Sequence, residues 1–294
     1  MRVSWWPWRR ESRLSEPAAP LPPPRIGLAL GGGFARGIAH IGVLRVFERH
    51  AIPIHAIAGI SAGSMVAAAY AAGADTGSIE RVARGMKFHD VARWTISRMG
   101  LAGSERMVPF LHRLLPCTCF EQMRIPLAIV AADLITGVPV VFRGPGDVIL
   151  PIRASCSYPG LFQPVRSNGY CLVDGYIARE VPSEALTTMG VDRIISVHLP
   201  TPASGVDPQN VFSIVHRCFQ VMGRRLDQEW LVHSDLVIEP DVAQVAWDGF
   251  NDTSALIEMG EQAAYKALPE VERWLGLAPA PPHPASHTIA DRFD

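Results

Sequence analysis

Ile54-His-Ala-Ile-Ala-Gly59-Ile60-Ser61-Ala62-Gly63 is the stretch from which the fold is read. Five largely apolar residues form a short buried strand, a G-x-S-x-G follows, and the alanine-rich run Ala62 to Ala72 continues as a helix packed closely on it. A serine on a tight strand-to-helix turn takes a strained backbone conformation, and small flanking residues, Gly59 and Gly63, let the turn approach neighbouring strands. The helix also points its N-terminus at the serine, where it favours developing negative charge. G-x-S-x-G alone is common in glycine-bearing loops; set between a strand and a helix it makes Ser61 a candidate nucleophile rather than a residue of a packing turn.

Working outward, Ile26-Gly-Leu-Ala-Leu30 is a second apolar run, ending at Gly31-Gly32-Gly33-Phe34-Ala35-Arg36-Gly37. From Gly37, apolar residues recur every three positions at Ile38, Ile41, Leu44 and Phe47, which predicts an amphipathic helix. Leu127 to Ala132 and Arg193 to Leu199 read as buried strands, Val138 to Phe142 as part of a hairpin, and Asn210 to His233 and Ser254 to Leu275 as long helices. Alternating strands and helices predict an α/β fold of three layers, with a mostly parallel central sheet flanked by helices.

The glycine-rich loop allows three chemistries, two of which fail on spacing. A P-loop needs Gly-Lys-Ser/Thr at its end, and a dinucleotide fingerprint needs G-x-G-x-x-G, whereas here the third glycine comes one residue late. The third is an oxyanion hole, in which side-chain-free amides at a helix start meet a tetrahedral intermediate. For the base that activates Ser61, a Ser–Asp–His triad finds His198, His216 and His233 downstream. That arrangement belongs to a fold with several strands before its nucleophile, and only about 35 residues separate Arg25 from Ser61. Leu172-Val-Asp174-Gly175 offers a dyad instead: a carboxylate at the end of an apolar run, with glycine to turn the chain. Alone, Asp174-Gly175 would read as a solvated turn.

Taken in order, the Gly31–Gly37 loop, the Ser61 elbow and Asp174-Gly175 resemble the patatin-like phospholipase family, most closely its bacterial members. Gly37 to Leu44, Ala131 to Gly137 and Arg153 to Phe162 resemble the segments that accompany these motifs, so the likeness runs from Ile26 to Leu199. It implies hydrolysis of acyl esters of lipids by a Ser61–Asp174 dyad without a catalytic histidine. It further implies backbone donors at Gly32, Gly33 and Phe34, a loop-shaping role for Arg36, and structural roles for Asp133 and His40. No metal or cofactor is expected, and calcium in particular has no acidic loop to hold it. The chain departs from the family pattern where Tyr176 replaces a second glycine after Asp174-Gly175 and Arg179-Glu180 stand where asparagine is usual. That departure keeps a second reading in play, a non-catalytic protein of the same fold that serves interaction or regulation.

Composition bounds the rest. With 48% hydrophobic and 19% charged residues the chain reads as globular. Its 27 basic and 28 acidic residues give a formal charge of −1 and no global case for nucleic acid. Five cysteines, an odd and sparse set, read as free thiols of a reducing compartment. Five prolines between Pro17 and Pro24 and a proline-rich stretch from Pro279 to Pro284 divide the chain into a tail at 1–24, a domain at 25–277 and a tail at 278–294. Trp5, Trp6 and Trp8 among Arg2, Arg9, Arg10 and Arg13 read as a loose tail, or as an anchor in the headgroup zone of a membrane. The head lacks an apolar run of signal-peptide length, so a cytoplasmic protein is expected, with peripheral contact to the inner face of a membrane as a second expectation. Methionines and aromatics such as Met86, Phe88, Trp94, Met107, Phe110 and Leu114 are candidates for an acyl channel, though such a stretch also suits ordinary core.

Overall fold

The computed structural model describes residues 22–95, 97–201, 207–208, 211–226 and 228–277. The tryptophan-arginine head and the Pro279–Pro284 tail lie outside these residues. Among the described residues there are ten strands: β1 (Ile26–Leu30), β2 (Ala56–Gly59), β3 (Arg93–Trp94), β4 (Ala102–Gly103), β5 (Leu127–Asp133), β6 (Pro139–Phe142), β7 (Val165–Ser167), β8 (Tyr170–Asp174), β9 (Arg193–Val197) and β10 (Leu236–Ile238). β3 and β4 make a small separate ribbon, and the other eight form one sheet. β10, β9, β1, β2 and β5 are joined by parallel pairings, and β6, β7 and β8 add antiparallel ones, which is the mostly parallel sheet expected.

The sheet is covered on both faces, unequally, and alternation along the strands explains why. Ile26, Leu28 and Leu30 of β1 project into the larger apolar cluster with Ile57, Ile129, Ile195 and Val197. Ala29 points the other way, into a smaller cluster with Ala58 and Ala128. The large face carries α1 (Ala39–Arg49), α2 (Ala62–Ala71), α3 (Thr76–Gly85), the single turn α4 (Phe88–Val91), α5 (Met107–Leu114) and α6 (Ile149–Ser155). Among the described residues the small face is covered by Val181, the short α7 (Ser183–Leu186) and Trp230 of α9 (Gln228–Leu231), which comes after α8 (Val211–Leu226). Of the helical run expected from Asn210 to His233, Val211–Leu226 and Gln228–Leu231 are helical among the described residues, and the run ends at Leu231. The last helix, α10 (Thr253–Leu275), matches its expected span to within a residue and lies along α1.

α1 and α10 meet at backbone distance. A Cβ on Gly42 would lie 2.0 Å from the Ile257 carbonyl oxygen, and one on Gly260 would lie 2.0 Å from that of Ala39. Two glycines facing each other let the helices cross without side chains between them. Gly260→Ala is expected to force them apart and lower unfolding stability by about 1–3 kcal/mol, read as a reduced urea midpoint at unchanged m-value. An unaltered midpoint would show that the contact is slack.

Candidate active site

The site is assembled on one edge of β5. β2 pairs with β5 up to Gly59↔Ile129, and β8 pairs with it from Asp133↔Leu172 to Ala131↔Asp174. β6 shares Ile129 with β2 and both Ala131 and Ala132 with β8, so it occupies the opposite edge. β2 and β8 thus lie end to end along the same edge of β5. The residues that follow them, Ser61 and Gly175, emerge side by side.

Ser61 sits in the tight turn with φ 53° and ψ −126°, a strained conformation for a residue with a Cβ. Steric exclusion holds it there: a Cβ on Gly59 would lie 2.5 Å from Ser64 Cα, and one on Gly63 would lie 2.4 Å from the Leu30 carbonyl oxygen. The Ser61 amide donates to Ser155 Oγ at 2.8 Å, and that hydroxyl donates to the Val130 carbonyl at 2.6 Å. Ser61 Oγ, nearly buried, donates to Asp174 Oδ2 at 2.7 Å.

Asp174 is 1% exposed, and its other oxygen, Oδ1, accepts the Tyr176 amide at 3.0 Å. Burial raises its pKa from 3.8 to about 7, against the opposing pull of the hydrogen bonds from Ser61 and Tyr176. A carboxyl that changes charge near neutrality is suited to take a proton and return it. The histidines are engaged elsewhere. His40 is fully buried, held neutral by burial with a pKa of about 4, and donates from Nε2 to the Gly31 carbonyl. His216 borders the site, but burial also holds it neutral; its Nε2 accepts the Gln220 amide at 2.8 Å, so Nδ1 donates to the Tyr158 hydroxyl oxygen at 2.9 Å. His198 is committed to Glu180 and Glu239.

The glycine-rich loop crosses in front of the serine, with Gly32 packed against Ser61 Cβ. Of the three amides expected to face an oxyanion, that of Gly32 donates to the Glu180 carbonyl at 3.2 Å and is occupied. Those of Gly33 and Phe34 have no partner among the described residues, and both residues border the small space that also contains Ser61 and Asp174. Phe34 turns the chain with φ 50°, and a short 3-10 turn then leads into α1, so that helix begins at Ala39 rather than Gly37. Gly37 is required because a Cβ there would lie 2.4 Å from that of Ala62. Arg36, buried behind the loop, donates from Nη1 to the Pro200 carbonyl and from Nε to that of Gly33. Asp133 accepts the Cys171 amide and the Thr136 hydroxyl and so holds the turn after β5.

An apolar cavity opens from Ser61 between α2, α3 and α5, with Met65, Ile79, Val82, Met86, Phe88 and Phe110 among its walls. Its volume is about 100 Å³, room for several waters. Met86, Phe88, Met107, Phe110 and Leu114 of the expected channel line it, while Trp94 lies outside on the exposed ribbon. Ser155 and Tyr158 are not singled out by the sequence, and Arg153–Phe162, whose family-like pattern contains both, is the available signal; Glu180 is marked there only as a departure from the family pattern.

Comparison with known proteins agrees with this geometry. The family model for patatin-like phospholipases matches residues 28–187. An NTE family protein of Mycobacterium tuberculosis is 34% identical over 186 residues, covering 62% of this chain and 51% of that protein. Lysophospholipase NTE1 of Cryptococcus neoformans is 34% identical over 188 residues, covering 59% of this chain and 11% of its own. The chain thus spans about half the length, or less, of these curated relatives. Among solved structures, VipD from Legionella pneumophila matches with a TM-score of 0.52 at 13% identity, over 85% of this chain and 67% of its own, a likeness of fold. With more than half of the chain matched, and the glycine-rich loop, the serine elbow and Asp174 all inside the match, this chain belongs to the patatin-like phospholipase family.

Proposed function

We propose that this chain hydrolyses carboxylic esters of lipids, with Ser61 as nucleophile and Asp174 as its only base. The observation that carries the reading is the 2.7 Å hydrogen bond from Ser61 Oγ to a carboxylate that burial holds at a pKa of about 7. The apolar cavity beginning at Ser61 supports a substrate with a fatty acyl chain, and the relative named as a lysophospholipase supports a lipid ester. Tyr176 and Glu180, whose departure from the family pattern favoured a non-catalytic scaffold, leave the dyad intact. Tyr176 supplies the amide that holds Asp174 Oδ1.

The chemistry follows in two displacements. Asp174 takes the Ser61 proton as Oγ attacks the ester carbonyl, and the tetrahedral oxyanion, lying beside the N-terminal end of α2, is met by the amides of Gly33 and Phe34 from the loop ahead of α1. One such donor is worth about 3–4 kcal/mol in the transition state. Asp174 then gives its proton to the departing alcohol, leaving an acyl-Ser61. Water, deprotonated by the same carboxylate, attacks that ester and releases the fatty acid. One group serves as acid and base in turn, which a pKa close to the working pH favours.

p-Nitrophenyl esters from C4 to C16 test the reading. Ser61→Ala and Asp174→Asn, each shown folded by circular dichroism, are expected to lower kcat by about 10⁴-fold or more. The wild type is expected to favour the longer chains that fill the cavity. Because Asp174 must be ionised to act, kcat/KM is expected to rise with pH through about 7 rather than through the ordinary carboxylate range near 3.8. Turnover that survives in folded Ser61→Ala would overturn the assignment.

Stability reports the same shift with the opposite sign. Asp174 has its folded pKa raised above the unfolded value, so its contribution is fully present below about pH 4 and is lost as pH rises towards 7. Asp174→Asn is therefore expected to raise the Tm relative to wild type at pH 8 and to change it little near pH 4. Equal shifts at both pH values would show that the carboxylate is not ionised at a cost in the folded protein.

A further inference from the structure

Glu180 follows the catalytic arm and precedes α7, and its carboxylate is almost wholly buried. Three connections meet at this residue. Its main-chain carbonyl accepts the Gly32 amide at 3.2 Å, tying it to the oxyanion loop. Its Oε1 accepts the Tyr176 hydroxyl at 2.8 Å, and the amide of that same tyrosine donates to Asp174 Oδ1. Its Oε2 accepts from His198 Nε2 at 3.0 Å, while the other ring nitrogen of His198 donates to Glu239 at 2.8 Å. Burial works against charge on His198, yet the two carboxylates hold its pKa up at about 9, so a buried ion pair exists at neutral pH.

The surroundings leave the carboxylate little freedom. α8 passes over it at Gly223, where a Cβ would lie 2.6 Å from Glu180 Oε1. His198, just beyond the end of β9, is fixed by the hydrogen bond that its backbone amide donates to the Ile238 carbonyl at 3.0 Å. The loop at Gly31 is equally tight, since a Cβ there would lie 3.0 Å from the Glu180 carbonyl oxygen. A shift of residue 180 must therefore move the loop that carries the Gly33 and Phe34 amides. Through Tyr176 it must also move the clamp on Asp174.

Resting on the hydrolytic reading above, we propose that Glu180 is a positioning residue that locks the oxyanion loop and the Asp174 arm at one fixed spacing, with His198 as its anchor and Tyr176 as its lever. Among the described residues Glu180 touches neither reacting group and acts through these neighbours. The structure assigns this role to residues at which the chain departs from the family pattern.

The test uses the full chain and three variants, Glu180→Ala, Glu180→Gln and Tyr176→Phe. One readout is amide exchange of the segment containing Gly31–Phe34, followed by mass spectrometry; the other is kcat and KM on p-nitrophenyl butyrate. In Glu180→Ala the exchange is expected to quicken by about tenfold or more and kcat to fall by about tenfold to a hundredfold, with KM within about twofold of wild type. Glu180→Gln keeps an acceptor for the Tyr176 hydroxyl and is expected to recover most of both. Tyr176→Phe, which removes one hydroxyl and retains the ring, is expected to fall between them and carries the test if Glu180→Ala does not fold. Unchanged exchange in a folded Glu180→Ala, or a raised KM at preserved kcat, overturns the proposal. If the wild type hydrolyses no ester while exchange still responds as expected, the hydrolytic reading fails and the mechanical coupling stands.

Discussion

The site depends on how one strand edge is divided. β2 and β8 approach each other along β5 from opposite directions and stop with a single residue, Val130, between their last partners. The carbonyl of Val130 would be a buried, unsatisfied acceptor without the Ser155 hydroxyl, which occupies it and at the same time accepts the amide of Ser61. The space is so restricted that a Cβ on Gly175 would lie 2.4 Å from that carbonyl oxygen. Ser61 and Asp174, separated by 113 positions in the chain, are therefore brought into contact by sheet pairing. The strained φ of Ser61, the glycines on either side of it and the turn at Gly175 all follow from this shared edge.

Burial then decides the chemistry. Raising the Asp174 pKa from 3.8 to about 7 corresponds to roughly 4 kcal/mol of disfavour for its charged form. A hydrogen bond to a charged group returns about 1.5–3 kcal/mol, and Asp174 accepts from the Ser61 hydroxyl and the Tyr176 amide. That rise is what remains after both bonds have acted, so desolvation outweighs them, and the carboxyl titrates where a histidine ordinarily would. In effect, a low-dielectric setting gives an aspartate the proton affinity for which serine hydrolases commonly use imidazole. The neighbouring histidines do not compete, because burial keeps His40 and His216 neutral and each already holds a hydrogen bond.

Much of this was legible in the amino-acid sequence, for local reasons. β1 and the Ser61 elbow are contiguous apolar runs ended by glycine, and the Ile26–Leu28–Leu30 alternation even indicates which sheet face is thick. The second strand begins two residues later than expected because His55 bonds to both the amide and the carbonyl of Ile26 before β2 starts. What could not be read is what acts through the main chain across long separations. Nothing in Ser155 marks it as the partner of an amide 94 positions away, and nothing in Glu180 shows that its carbonyl occupies the Gly32 donor. The family pattern placed Gly32 among the oxyanion donors, and only the register of the loop against residue 180 withdraws it.

The central claim is that Ser61 is an activated nucleophile whose base is Asp174, and it is tested most directly by covalent capture. The full chain would be treated with an alkyl fluorophosphonate across pH 5 to 9, and the modified peptide identified by mass spectrometry. The account predicts one adduct, on Ser61, formed at a rate that rises through about pH 7 and is lost in Asp174→Asn. An adduct on another residue, no adduct at all, or labelling of Ser61 that persists in Asp174→Asn would contradict it.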